Sequence, residues 1–102
     1  MQEQALAQAW QECHQGLSFG ETLGDILADF KLPQKVLVFK LKSVGLNWSD
    51  NKVSRLVNNE IPNNLKAREV HKIAQALNCD TRQLAMLIRA YTCHKLKEWE
   101  LI

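Results

Sequence analysis

Apolar side chains recur at spacings of three and four along nearly all of this 102-residue chain, and only four glycines and two prolines punctuate it. That period belongs to helices that each bury one stripe, so the pattern predicts an all-α bundle of about six short helices. The first stripe is Ala5, Leu6, Ala9, Trp10 and Cys13, stopped by Gly16. Leu23, Ile26, Leu27 and Phe30 make the second. Leu65, Val70, Ile73, Ala74 and Leu77 make a later one, ended by Asn78, and Leu84, Leu87, Ile88 and Tyr91 make the last, capped by Asp80 or Thr81. The expected helices are 3–15, 20–30, 33–44, 49–58, 64–77 and 81–97.

Two segments carry more information than their stripes. PQKVLVFKLKSV, residues 33–44, has the β-branched content and alternation of a strand, but Leu37, Leu41 and Val44 keep helical spacing and helices flank it. Helix is the expected state, with Pro33 at its start. The helix expected at 49–58 has strong punctuation. Ser49 can accept from free amides of the first turn, and Asp50 faces the positive end of the dipole. Trp48 and Val53 have the spacing of a hydrophobic staple. Asn58 and Asn59 tolerate the left-handed backbone that ends a helix.

Charge is unevenly distributed. The first 30 residues hold five acids and no Lys or Arg, whereas 31–102 hold all 13 basic residues and six acids. Such a body suits either a polyanionic partner or an ordinary solvated surface. No apolar run reaches the roughly 20 residues a membrane span needs, and the N-terminus does not read as a secretory signal, so a cytoplasmic protein with no membrane partner is expected. Cys13, Cys79 and Cys93 are an odd number without a framework spacing, which predicts reduced thiols. Cys13-His14 and Cys93-His94 lack the gap of a zinc knuckle, so no metal is expected, and no cofactor motif is present. Without a phosphate loop or a nucleophile–base set, the chain is not expected to be an enzyme.

Residues 19–79 resemble the phage-repressor (Cro-type, XRE) helix-turn-helix family. FGETLGDILADFKLPQ is similar to the family's first helix and the entry to its second, with Gln34 at the family's glutamine. SDNKVSRLVNN, 49–59, is similar to its recognition helix, and KIAQALNCD, 72–80, to its closing stretch. Gln34 and Ser49 stand 15 positions apart, more than is usual in the family, which implies a lengthened scanning helix or turn. Val57 and Asn59 replace the family's usual acid and glycine.

The resemblance implies a lambda-repressor-like bundle that binds double-stranded DNA and regulates transcription. In the recognition helix, Val53 and Leu56 face the core. Asn51, Lys52, Ser54, Arg55 and Asn58 face base edges, where Asn suits adenine and Arg guanine. Gln34, Asn63, Asn64, Lys66 and Arg68 are the phosphate candidates, the last four at the start of the following helix. Each has a plainer reading: Arg55 as a surface ion pair, Lys52 and Asn51 as solvated residues, Trp48 as a core staple. His71 is read as a bystander. Residues 1–18 are expected to be an amphipathic dimerisation helix, with Leu6, Ala9, Trp10 and Cys13 in a homodimer interface, and 19–102 the DNA-binding domain. The competing reading is a protein-interaction module, such as an antitoxin or accessory factor, using the Trp48 loop and the apolar N-terminal helix on a protein partner.

Overall fold

The computed structural model describes residues 8, 11 and 13–100, so Leu6, Ala9 and Trp10 lie outside the described residues. The described part is all-helical, with no strand. Gln8, Gln11 and residues 13–15 are helical, and five further helices follow. These are α1 (Phe19–Asp29), α2 (Gln34–Ser43), α3 (Asp50–Val57), α4 (Ala67–Ala76) and α5 (Thr81–Glu98). Helix α5 packs on α4 and α1, α1 on α3, and α2 on both α3 and α4. One core results, built on Phe19, Leu23, Ile26, Leu37, Leu41, Val53, Leu56, Val70, Ile73 and Leu87.

Local chemistry explains most of the boundaries. Ser18 Oγ accepts from the Glu21 amide at 3.2 Å, and the Glu21 carboxylate accepts from the Ser18 amide at 3.3 Å. This reciprocal cap starts α1. Lys31, with φ 53°, ends it, leaving Phe30 exposed at the C-cap rather than in the stripe. Ser49 Oγ accepts from the Lys52 amide at 3.1 Å to cap α3, and Trp48 and Val53 are both buried beside that cap. Asp80, not Thr81, caps α5, accepting from the Gln83 amide at 2.8 Å.

Residues 34–43 settle as a helix. Leu37, Val38 and Leu41 are buried together, a set that one helix face presents and a strand would split between its two sides. The 15-residue separation of Gln34 and Ser49 resolves into a ten-residue helix and a connection over 44–49, so the turn takes up much of the extra length.

Two further expectations do not hold. The helix expected at 64–77 begins only at Ala67, with Lys66 at its N-cap. Asn63 and Asn64 therefore form a turn before it, because Leu65 is drawn into the core and Lys66 donates its amide to Glu69 at 2.8 Å. The expected reduced thiols are the second. Cys13 and Cys93 form a disulfide across 80 residues, with Cα atoms 5.2 Å apart. Cys13 is buried and its sulfur is bonded within its own chain, so it is not a residue left over for a homodimer interface. Cys79 alone stays free, and burial raises its thiol pKa.

Candidate nucleic-acid interface

Helix α3 is short, and its inward face consists of Val53 and Leu56, both essentially inaccessible, with Val57 half-buried. Two buried side chains one turn apart fix the helix's rotation about its axis. That rotation leaves Asn51, Arg55 and Asn58 exposed and Lys52 and Ser54 partly so. Asp50 occupies the first turn, where its charge favours the helix.

The outer face is continuous with the start of α2. Gln34, Lys35, Val38, Asp50, Asn51 and Ser54 line an open groove of about 280 Å³ between the two helices. On the other side of Asn51 lies a second groove of about 500 Å³, lined by Ser49, Asn51, Lys52, Arg55, Glu60, Ile61 and Pro62. Asn51 belongs to both. The structure thus brings Gln34, Asn51, Lys52, Ser54 and Arg55 onto one surface.

Two of these side chains have partners. Lys52 Nζ lies 4.4 Å above the centroid of Trp48, so its ammonium is drawn toward the indole face while its stem crosses the helix surface. Arg55 Nε lies 3.9 Å from Glu60 Oε2, with both side chains largely exposed. The surface-pair reading of Arg55 is therefore realised, and Trp48 is a core residue at 9% exposure.

The other phosphate candidates do not join this surface as one group. Asn63, Asn64 and Lys66 line a separate groove of about 600 Å³ with Tyr91, Leu96 and Trp99. Arg68 is exposed in the first turn of α4 and Asn58 at the C-cap of α3, and neither is among the residues that line these grooves. Backbone bracing holds the 63–66 turn. Tyr91 Oη donates to the Leu65 carbonyl at 2.7 Å, and Lys95 Nζ donates to the Asn63 carbonyl at 2.7 Å. Nothing in the local pattern marks these contacts, which join positions 26 and 32 residues apart.

Lys35, Val38, Glu60, Ile61 and Pro62 line these grooves and are site residues that sequence reasoning missed. Asn59 takes a left-handed backbone, φ 66°, and the Glu60 amide donates back to the Arg55 carbonyl at 2.8 Å. This reversal returns Glu60 alongside Arg55, and Asn59 was its available signal. Asn59 Oδ1 also accepts from the Gly20 amide at 3.1 Å, which fastens the end of α3 to the start of α1.

Among the described residues, no group of three or more His, Cys, Asp or Glu is placed to hold a metal ion, and no helix is long and apolar enough to cross a membrane. Comparison with protein-family models, characterised proteins and solved structures found no match to this chain.

Proposed function

We propose that this chain is a helix-turn-helix protein of the phage-repressor type that binds duplex DNA and regulates transcription. In this reading α2 is the scanning helix and α3 enters the major groove. The observation that supports it best is the single surface formed by Gln34, Asn51, Ser54 and Arg55, held rigid from behind by Val53 and Leu56. A major groove admits one helix, and base edges are read by short amides and forked guanidinium groups at its surface. Asn51, Ser54 and Arg55 are the base-reading candidates, with Lys52 and Asn58 at the margins. Gln34, Lys66, Arg68, Asn63 and Asn64 meet phosphate. A homodimer, with Leu6, Ala9 and Trp10 in its interface, doubles the site across a two-fold axis. The cytoplasm is the compartment that fits such a partner.

Fluorescence anisotropy with labelled genomic and random duplexes tests this reading. Arg55→Ala should cost about 1–3 kcal/mol per half-site and relax discrimination at one base position. Lys66→Ala should weaken binding to every sequence alike and flatten the salt dependence by about one unit of slope. Val53→Ala should lower stability by about 1–2 kcal/mol and affect binding only through the fold. If the parent binds weakly and without salt dependence, and both surface variants match it, the DNA reading fails.

One observation favours a protein partner instead. Phe39 is 74% exposed in the middle of α2, between Lys35 and Lys42 on the outer face. An exposed aromatic ring on a helix face that also carries two lysines suits a protein contact. Loss of a pulled-down partner on Phe39→Ala, with no duplex binding by the parent, is the result that selects this second reading.

A further inference from the structure

We infer that Glu60 is a specificity-determining residue that positions Arg55 and suppresses its attachment to phosphate, an inference that rests on the DNA reading above. Glu60 lies on the same groove as Asn51, Lys52 and Arg55, yet it is an acid on a surface proposed to face a polyanion. Its presence there is not explained by stability. An exposed pair of this kind contributes at most about 1 kcal/mol to folding, and here the side chains are 64% and 69% exposed.

The geometry supplies the reason. Glu60 Oε2 meets the guanidinium on its Nε edge, at 3.9 Å. No ion pair to the two terminal nitrogens is present among the described residues, and these are a matched fork for the O6 and N7 of guanine. The backbone reinforces the arrangement, since the Glu60 amide donates to the Arg55 carbonyl at 2.8 Å and keeps the two residues side by side. A phosphate competes directly with Glu60 for the guanidinium charge. A guanine edge needs only the fork and can be met with the carboxylate still in place. Glu60 therefore penalises the non-specific mode more than the specific one, which is how an unfavourable contact raises discrimination.

The test compares the parent with Glu60→Gln and Glu60→Ala on two duplexes, one selected from a random pool by the parent and one of random sequence. Glu60→Gln keeps an acceptor beside Arg55 without charge, whereas Glu60→Ala removes both. Random-duplex affinity should rise about threefold to fivefold in both variants, the scale of one exposed ion pair. The slope of log K against log salt on that duplex should steepen by about one, as Arg55 becomes free to neutralise a phosphate. Selected-duplex affinity should hold in Glu60→Gln and fall in Glu60→Ala, so the specificity ratio drops in both and more in the latter. Thermal melting of both variants should match the parent, because the pair is exposed. An unchanged ratio and slope in both variants, with a parent that binds duplex in a salt-dependent way, overturns the inference and leaves the DNA reading standing. A parent with no salt-dependent binding to either duplex overturns the DNA reading, and the inference falls with it.

Discussion

Opening the Cys13–Cys93 disulfide should lower the unfolding free energy by about 2–4 kcal/mol, the range for a bond that closes a long loop. The two cysteines are 80 residues apart, so the bond ties the N-terminal helical residues to the second half of α5 and removes much of the unfolded chain's freedom. Denaturant melts with and without a thiol reductant measure the effect directly. A Cys13→Ser, Cys93→Ser double variant should coincide with the reduced parent and no longer respond to reductant. Midpoints that do not move on reduction would show that the bond adds nothing to the fold. In a reducing compartment the bond is open and the lower value is the operative one, so the same melts bear on where the protein can work.

Gly20→Ala should be the most damaging of the Gly→Ala substitutions, costing about 2–3 kcal/mol. A Cβ built at Gly20 comes within 2.5 Å of the Asn59 amide nitrogen, 2.8 Å of its Cα and 2.8 Å of the Leu56 carbonyl oxygen. All three are backbone atoms at the end of α3, so no side chain can rotate out of the way. The loss should appear despite alanine's better helix propensity, worth about 1 kcal/mol in its favour. Gly24, one turn on in the same helix, is the control. Its added Cβ meets only Val57 Cγ1, at an ordinary 3.7 Å, so Gly24→Ala should be neutral or stabilising by up to about 1 kcal/mol. Equal melting temperatures for the two variants would contradict the close approach of α1 and α3. That approach also sets where α3 sits, so Gly20→Ala should weaken duplex binding without touching any residue proposed to meet DNA.

Where chemistry is local, the chain's own pattern reveals the fold. The caps at Ser49 and Asp80, the left-handed stops at Asn59 and Asn78 and the apolar stripes place the five main helices within a few residues. Even the strand-like 34–43 obeys its period, because neighbouring helices offer it a face to cover and no strand to pair with. The start of α4 was misplaced because Leu65 fits the helical stripe equally well when buried from a turn. What stayed hidden depends on distant parts of the chain. The pairing of Cys13 with Cys93 requires Cys13 to lie beside α5, and no spacing rule encodes that. The same holds for the Tyr91 and Lys95 braces, and for the separation of Gln34 from Asn63, Asn64 and Lys66 into different grooves. Residues of α3 could be assigned to an inner and an outer face from helical geometry alone, whereas Glu60 enters the surface only through the reversal at Asn59.

The claim that α3 and the start of α2 form a duplex-binding surface is tested most directly by titrating the isotope-labelled protein with duplex DNA and following backbone amide resonances. Salt-sensitive shifts should concentrate at Gln34, Asn51, Ser54, Arg55 and Glu60, with weaker ones at 63–68 and little change along the exposed acids of α1. Shifts that are absent at low salt, or that cluster around Phe39 or along α5 while α3 stays silent, would contradict it.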